Sequence, residues 1–249
     1  MAPSFGTSGL RGLVVDLTEE VVSGYVHAFL TTVPDCDTLF IGQDLRPSSP
    51  NIAQMICRTA LSAGVTVFDC GAVGTPALAL ASMNAGAAAI MVTGSHIPAD
   101  RNGLKFYVPQ GEISKEDELK ITAAYVAQRR RTGGVGTQTI LPEAETRYVQ
   151  RYIDAFGPQA LKDLRIGVYR HSSVARDTME TILTGLGATV VPLAHSDKFI
   201  PVDTEAVDDA TRAHLVTWSL EHNLDAVAST DGDADRPLLS DAAGKVIPG

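Results

Sequence analysis

The sequence predicts an α/β fold: two tandem, structurally repeated α/β domains. Three observations carry this. Short apolar, β-branched runs alternate with amphipathic helical patterns along the 249 residues. One strand-loop-helix-strand pattern then recurs in near-constant register. Ile41-Gly42 is matched by Ile166-Gly167, Ser48-Ser49 by Ser172-Ser173, Met55 by Met179, Gly64 by Gly187 and Val65-Thr66-Val67 by Ala188-Thr189-Val190, each pair 123–125 residues apart. Between the copies, Gly133, Gly134, Gly136 and Pro142 interrupt the pattern and place a boundary within 132–142, dividing the chain into domains 1–140 and 141–249.

In the first copy, residues 38–42 read as a strand that ends in a polar loop. Ser49 suits an N-cap and Pro50 the first helical position, opening a helix with Ile52, Met55, Ile56 and Ala60 inward. Gly64 stops that helix and 65–68 form the next strand. A helix follows Gly74-Thr75-Pro76, then a buried strand over 87–92. Asn102-Gly103 marks a tight turn before a returning strand over 104–108, and Ser114 with Asp117 forms a helix-opening capping box. A helix over 143–155 leads into the second copy, whose strands are expected at 164–169 and 224–229. Thr204 is expected to cap the helix between them.

Composition excludes several classes. With 20 Lys and Arg against 29 Asp and Glu, the formal net charge is −9, so no broad basic face is available for nucleic acid. The run Arg129-Arg130-Arg131 reads as a solvated helix end. Cys36, Cys57 and Cys70 share no metal-type spacing and read as reduced core thiols of a cytoplasmic protein. No stretch approaches the roughly 18 apolar residues of a membrane span, and no secretory leader pattern is present.

The chemistry falls in two loops that follow buried strands, where open α/β sheets bind ligands. The first is Thr93-Gly94-Ser95-His96-Ile97-Pro98 and the second Thr230-Asp231-Gly232-Asp233-Ala234-Asp235-Arg236. Asp231, Asp233 and Asp235 alternate across two small residues, so three carboxylates can converge on a hard cation such as Mg²⁺; a solvated acidic turn has the same pattern. An EF-hand is excluded, because Arg236 and Ala242 occupy the positions that need Gly and Glu. An esterase elbow is excluded at Ser95, because Thr93 and Ile97 occupy its glycine positions. No Walker loop is present. An Asp-x-Asp phosphatase with Asp231 as nucleophile and a non-catalytic phosphosugar-binding module stay open. Lys105 is carried back toward the serine loop by the returning strand, and the amino-terminal FGTSGLRG at 5–12 offers Arg11 in a glycine-rich setting.

Taken in order, FGTSGLRG at 5–12, TGSHIPADRNGLK at 93–105 and DGDADR at 231–236 resemble the arginine, phosphoserine and metal-loop signatures of the α-D-phosphohexomutases, the phosphomannomutase and phosphoglucomutase enzymes. The resemblance spans the whole chain. It implies the first two of four domains, with mixed, mainly parallel sheets covered by helices. It implies an intramolecular phosphotransferase that interconverts hexose 1-phosphate and hexose 6-phosphate, of mannose or glucose, through a phosphoserine and a hexose 1,6-bisphosphate intermediate. By position, Ser95 would carry the phosphoryl group, and Asp231, Asp233 and Asp235, with an oxygen at Ser95, would hold Mg²⁺. Arg236 would contact phosphate, Arg11 and Lys105 would place the substrate and move its proton, and His96 would support the serine loop. Ile97 stands where the family usually has Asn, and Ala234 where it commonly has Gly. The specificity-determining domains III and IV would lie beyond Gly249. Residues 1–249 alone are therefore expected to bind Mg²⁺ and to be able to carry phosphoserine, but to turn over hexose phosphate poorly.

Overall fold

The computed structural model describes residues 3–6 and 9–247. Thr7 and Ser8 of the glycine-rich amino-terminal segment, and Gly249, lie outside the described residues. The contacts divide the chain into two compact units. One contains the residues up to Gly94 together with Pro98–Ala144; the other contains Ser95–Ile97 and the residues from Glu145 onward.

The first unit is built on a mixed sheet. Its central strands are β3 (Thr38–Gln43), β4 (Thr66–Ala72) and β5 (Ala88–Val92), with β3 parallel to both neighbours. β6 (Arg101–Val108) runs antiparallel to β5, and β2 (Leu10–Leu13) and β1 (Ser4–Phe5) extend that side. The short β7 (Gly111–Glu112) also pairs with β6. β5 is buried at every position, as expected for a parallel strand covered on both faces. Gly42 faces Leu78 of α3 (Thr75–Asn84), whereas its neighbour Ile41 lies beside residues of α2 (Ser49–Ser62), so the two helices cover opposite faces. α1 (Glu19–Thr32), capped by Thr18, packs Phe29 on Phe106 of β6 and stacks Tyr25 on Tyr125 of α4 (Lys115–Val126). The capping box of Ser114 and Asp117 is present in full.

The second unit repeats this core. β9 (Arg165–His171) lies parallel to β10 (Thr189–His195) and to β11 (Ala226–Thr230), and β12 (Pro237–Asp241) returns antiparallel. Its order β10-β9-β11-β12 reproduces β4-β3-β5-β6, with α6 (Arg176–Gly185) and α7 (Asp209–Glu221) in the places of α2 and α3. The helix α5 (Glu143–Phe156) precedes this core and β13 (Val246–Ile247) follows it. Tyr169, Leu193, Val202, Leu215 and Val227 belong to its buried cluster.

The repeated glycines have shared physical causes. A Cβ on Gly42 or Gly167 would come within 2.7 or 2.6 Å of a neighbouring side chain, so each lets the sheet be packed closely. Gly64 and Gly187 sit at φ +77° and +98° directly after helices, the left-handed cap that glycine adopts without strain.

Four local expectations are corrected. Ser48, not Ser49, stands at the N-cap of α2, and Ser49 is buried with its hydroxyl turned to Asp44. Asn102 and Gly103 are strand residues of β6, paired with Gly12 and Arg11, so the reversal lies earlier, within 94–100. α7 is capped by Asp208, which accepts from Thr211 N, and Thr204 lies upstream in irregular chain. The interrupted segment after α4 contains a strand of its own, β8 (Gln138–Ile140), parallel to β4.

Gly103 marks the tightest approach near the first loop. An added Cβ would lie 2.4 Å from the Leu10 carbonyl oxygen and 3.0 Å from that of Thr93. Gly103→Ala is therefore expected to lower stability by about 1–3 kcal/mol in urea unfolding, through strand displacement.

Candidate functional site

The first loop leaves β5 at Thr93 and is anchored from below by polar side chains of the β3–α2 turn. Asp44 and Arg46 are both fully buried, with Nε to Oδ2 at 3.1 Å. Burial pushes the Asp44 carboxyl up, and donors from Ser49, Arg46 and Thr93 oppose that shift. Thr93 Oγ1 donates to Asp44 at 2.9 Å, while Arg46 Nη1 donates to the carbonyls of Pro98 and Arg101 at 2.8 and 3.0 Å. Asn102, also buried, donates to the hydroxyls of Ser48 and Ser49. Gly94 is required above this cluster, because a Cβ there would lie 2.7 Å from the Arg46 guanidinium carbon. Reading the sequence identified the loop but not its supports: Asp44, Arg46 and Asn102 look like ordinary turn residues until their burial is known.

Lys105 and Arg11 occupy one sheet face in the first unit. Arg11 pairs with Gly103, and Lys105 lies two residues further along the same strand, so both side chains are on the face shared with Met91. Lys105 is buried. Both sit near the end of β5, two residues before Ser95 in the chain.

Ser95, His96, the three aspartates and Arg236 are brought together in the second unit. Ser95 is fully buried and has φ +52°, a left-handed backbone that a serine adopts only under constraint. Its Oγ donates to Asp231 Oδ2 at 2.5 Å and accepts from Arg236 Nη1 at 2.8 Å. Arg236 Nη1 also donates to His96 Nδ1 at 2.8 Å, so the neutral ring carries its proton on Nε2. The Arg236 Nε contacts Glu205 Oε1 at 2.9 Å. Gly232 allows the approach of the two loops' backbones, because a Cβ there would meet the Ser95 carbonyl oxygen at 3.0 Å.

The metal loop is closed on itself by Asp231 N donating to Arg236 O at 3.0 Å. It is tied to the β9–α6 turn by three contacts: Val174 N to Gly232 O, Ser173 with Thr230, and His171 Nε2 with Thr230 O. Ala234 has φ +68°, which explains the glycine common at that position in the resemblance.

One carboxylate oxygen from each of Asp231, Asp233 and Asp235 lies within 4.8 Å of the others. Asp231 and Asp233 are buried and Asp235 is exposed. Burial, then the charges of Asp233 and Asp235, push the Asp231 carboxyl up to about 7. Three hard oxygen donors whose mutual repulsion is this costly fit a divalent cation such as Mg²⁺.

A cavity of about 650 Å³ opens beside Asp235 and Arg236, lined also by Glu205, Val207 and Arg212. The three cysteines are free and buried. Arg131 of the arginine run donates to the Cys36 carbonyl and pairs with Asp37, so it holds the chain before β3. Among the described residues, no helix is long and apolar enough to cross a membrane.

Comparison with known proteins adds the family. The model for phosphoglucomutase/phosphomannomutase α/β/α domain I matches residues 2–132, and that for domain II matches 146–244. The chain is 48% identical over 263 aligned positions to a phosphomannomutase of Sinorhizobium fredii, covering 100% of this chain and 55% of the relative. It is 44% identical to a phosphomannomutase of Salmonella muenchen, covering 99% of this chain and 52% of the relative. The chain thus spans about half the length of these curated relatives. A solved structure of a phosphoglucomutase/phosphomannomutase family protein from Burkholderia thailandensis superposes with a TM-score of 0.80 at 23% identity, over 96% of this chain and 55% of that one, which shows the shared fold.

Two outcomes follow from the supports. Removing Asp44 strands the buried Arg46 charge, so Asp44→Ala is expected to cost about 3–5 kcal/mol in denaturant unfolding, while the paired Asp44→Leu/Arg46→Met change costs far less. Burial lowers the His171 pKa to about 4 from the usual 6.5. The unfolded chain therefore takes up a proton that the folded one refuses between those values, and stability falls as pH drops through that window. Between pH 6.5 and 5 this group is expected to remove about 2 kcal/mol, a loss that His171→Gln would flatten in unfolding curves.

Proposed function

The chain belongs to the phosphoglucomutase/phosphomannomutase family, and from that premise we propose that it supplies the phosphoryl-carrying half of a hexose phosphate mutase. The observation that carries the proposal is the buried Ser95 hydroxyl held between a carboxylate of the acidic triad and the Arg236 guanidinium. A phosphoserine there would add nearly two negative charges beside three carboxylates, a load that needs cationic compensation.

In this reading Ser95 Oγ carries the phosphoryl group. A substrate hydroxyl oxygen bonds to phosphorus as the Oγ–P bond breaks, and Lys105 takes up the hydroxyl proton. Arg236 donates to the phosphoryl oxygens, and His96, already accepting from Arg236, keeps that side chain beside the loop. Arg11 shares the sheet face of Lys105 and would hold substrate phosphate. Asp231, Asp233 and Asp235, with an oxygen at Ser95, would hold Mg²⁺, which when bound neutralises charge on the transferring group. The bisphosphate made in the first transfer would turn over in the site and return its other phosphate to Ser95. Mannose phosphates are the favoured substrates, because both relatives at 44–48% identity are named phosphomannomutases.

Incubation with a hexose 1,6-bisphosphate and Mg²⁺ is expected to give an acid-stable phosphate adduct by intact mass, lost in Ser95→Ala. An acid-labile adduct surviving in Ser95→Ala would instead indicate an aspartyl phosphate and a phosphatase. Calorimetric titration of Asp233→Asn should show Mg²⁺ affinity lowered by roughly tenfold or more, since ligand charge sets the affinity of such sites.

A further inference from the structure

Arg236 has work at both ends of its guanidinium. Nη1 serves Ser95 Oγ and His96 Nδ1, both at 2.8 Å, while Nε is met at 2.9 Å by Glu205 Oε1. An arginine side chain has several rotatable bonds, so two donors fixed on one edge still leave the plane free to swing; a third contact on Nε removes that freedom. Glu205 is well placed to provide it. Its backbone N donates to Asp203 Oδ1 at 2.9 Å, as does that of Ala206 at 3.0 Å, which pins this otherwise irregular segment. Its carboxylate borders the 650 Å³ cavity that Arg236 and Asp235 also line.

The energetics argue against a structural purpose. The Glu205 side chain is 73% exposed, and ion pairs in that setting add little to stability. What the contact does fix is direction.

We propose that Glu205 is a positioning residue of the phosphoryl-transfer site, holding Arg236 by Nε so that Nη1 meets the group at Ser95. This rests on the mutase reading above. Because the carboxylate acts as a hydrogen-bond acceptor on Nε, an amide oxygen at the same place can replace it, whereas a truncated side chain cannot. A role through negative charge alone would make the amide variant as poor as the truncated one.

The test uses the full chain and compares wild type with Glu205→Ala and Glu205→Gln. The rate at which Ser95 gains phosphate from glucose 1,6-bisphosphate with Mg²⁺ is followed by intact mass, alongside melting temperature and the Arg236 Nε–H resonance. Outer partners of charged ligand groups are typically worth about 10–100-fold, so Glu205→Ala is expected to slow phosphorylation by at least tenfold. Glu205→Gln should stay within about threefold of wild type, and the melting temperature of both variants within about 2 °C. The Nε–H resonance should persist in Glu205→Gln and broaden or shift in Glu205→Ala. Wild-type phosphorylation with an equal rate in Glu205→Ala, or equal losses in both variants, would overturn the proposal while leaving the mutase reading intact. Absence of phosphate on wild-type Ser95 would overturn the mutase reading, and the proposal with it.

Discussion

The Ser95 hydroxyl lies between Asp231 and Arg236, and much of the surrounding architecture can be understood as the means of keeping it there. Its Oγ gives its proton to the carboxylate and receives one from the guanidinium, so both polar capacities are used inside a fully buried site. This costs a left-handed backbone at a non-glycine residue, φ +52°. It also gathers charge that would repel in isolation, as the raised pKa of Asp231 records. A strained serine beside crowded carboxylates persists only where its surroundings over-determine it.

The repeated core explains how two such loops come to exist. Each copy presents the end of its central strand, β5 or β11, on a buried threonine, and each supports the following loop with the turn after its first strand. In the first copy Asp44 accepts from Thr93; in the second Ser173 bonds Thr230. The scaffolds agree while the chemistry has diverged, one loop offering a hydroxyl and the other three carboxylates. Glycine keeps its place for different local reasons in the two copies: Gly94 clears the Arg46 guanidinium, and Gly232 clears the Ser95 carbonyl.

Much of this was legible from residue order alone. The repeat was visible because Gly42 and Gly167, and Gly64 and Gly187, answer to steric demands that recur with the topology. The aspartate triad was visible because alternation with small residues is a local pattern. Asp44, Arg46, His171 and Glu205 were not visible, because their roles come from burial and from partners that are not adjacent in sequence: Arg46 reaches Pro98 and Arg101, and Glu205 reaches Arg236. Helix ends were misread where two polar residues compete for one job. Ser48 and Ser49 are both plausible caps, and the need to satisfy Asp44 decided between them. Thr204 lost its capping role to Asp208 because the intervening residues are held by Asp203 in a turn.

The central claim is that a phosphate on Ser95 and a divalent cation on the aspartates share one site. Phosphorus NMR of the Ser95-phosphorylated chain, titrated with Mn²⁺ in place of Mg²⁺, tests it most directly. A phosphoserine signal broadened beyond detection by stoichiometric Mn²⁺, and retained when Asp231 and Asp233 are both changed to Asn, is the result expected. A sharp phosphoserine signal in the presence of bound Mn²⁺ would contradict it.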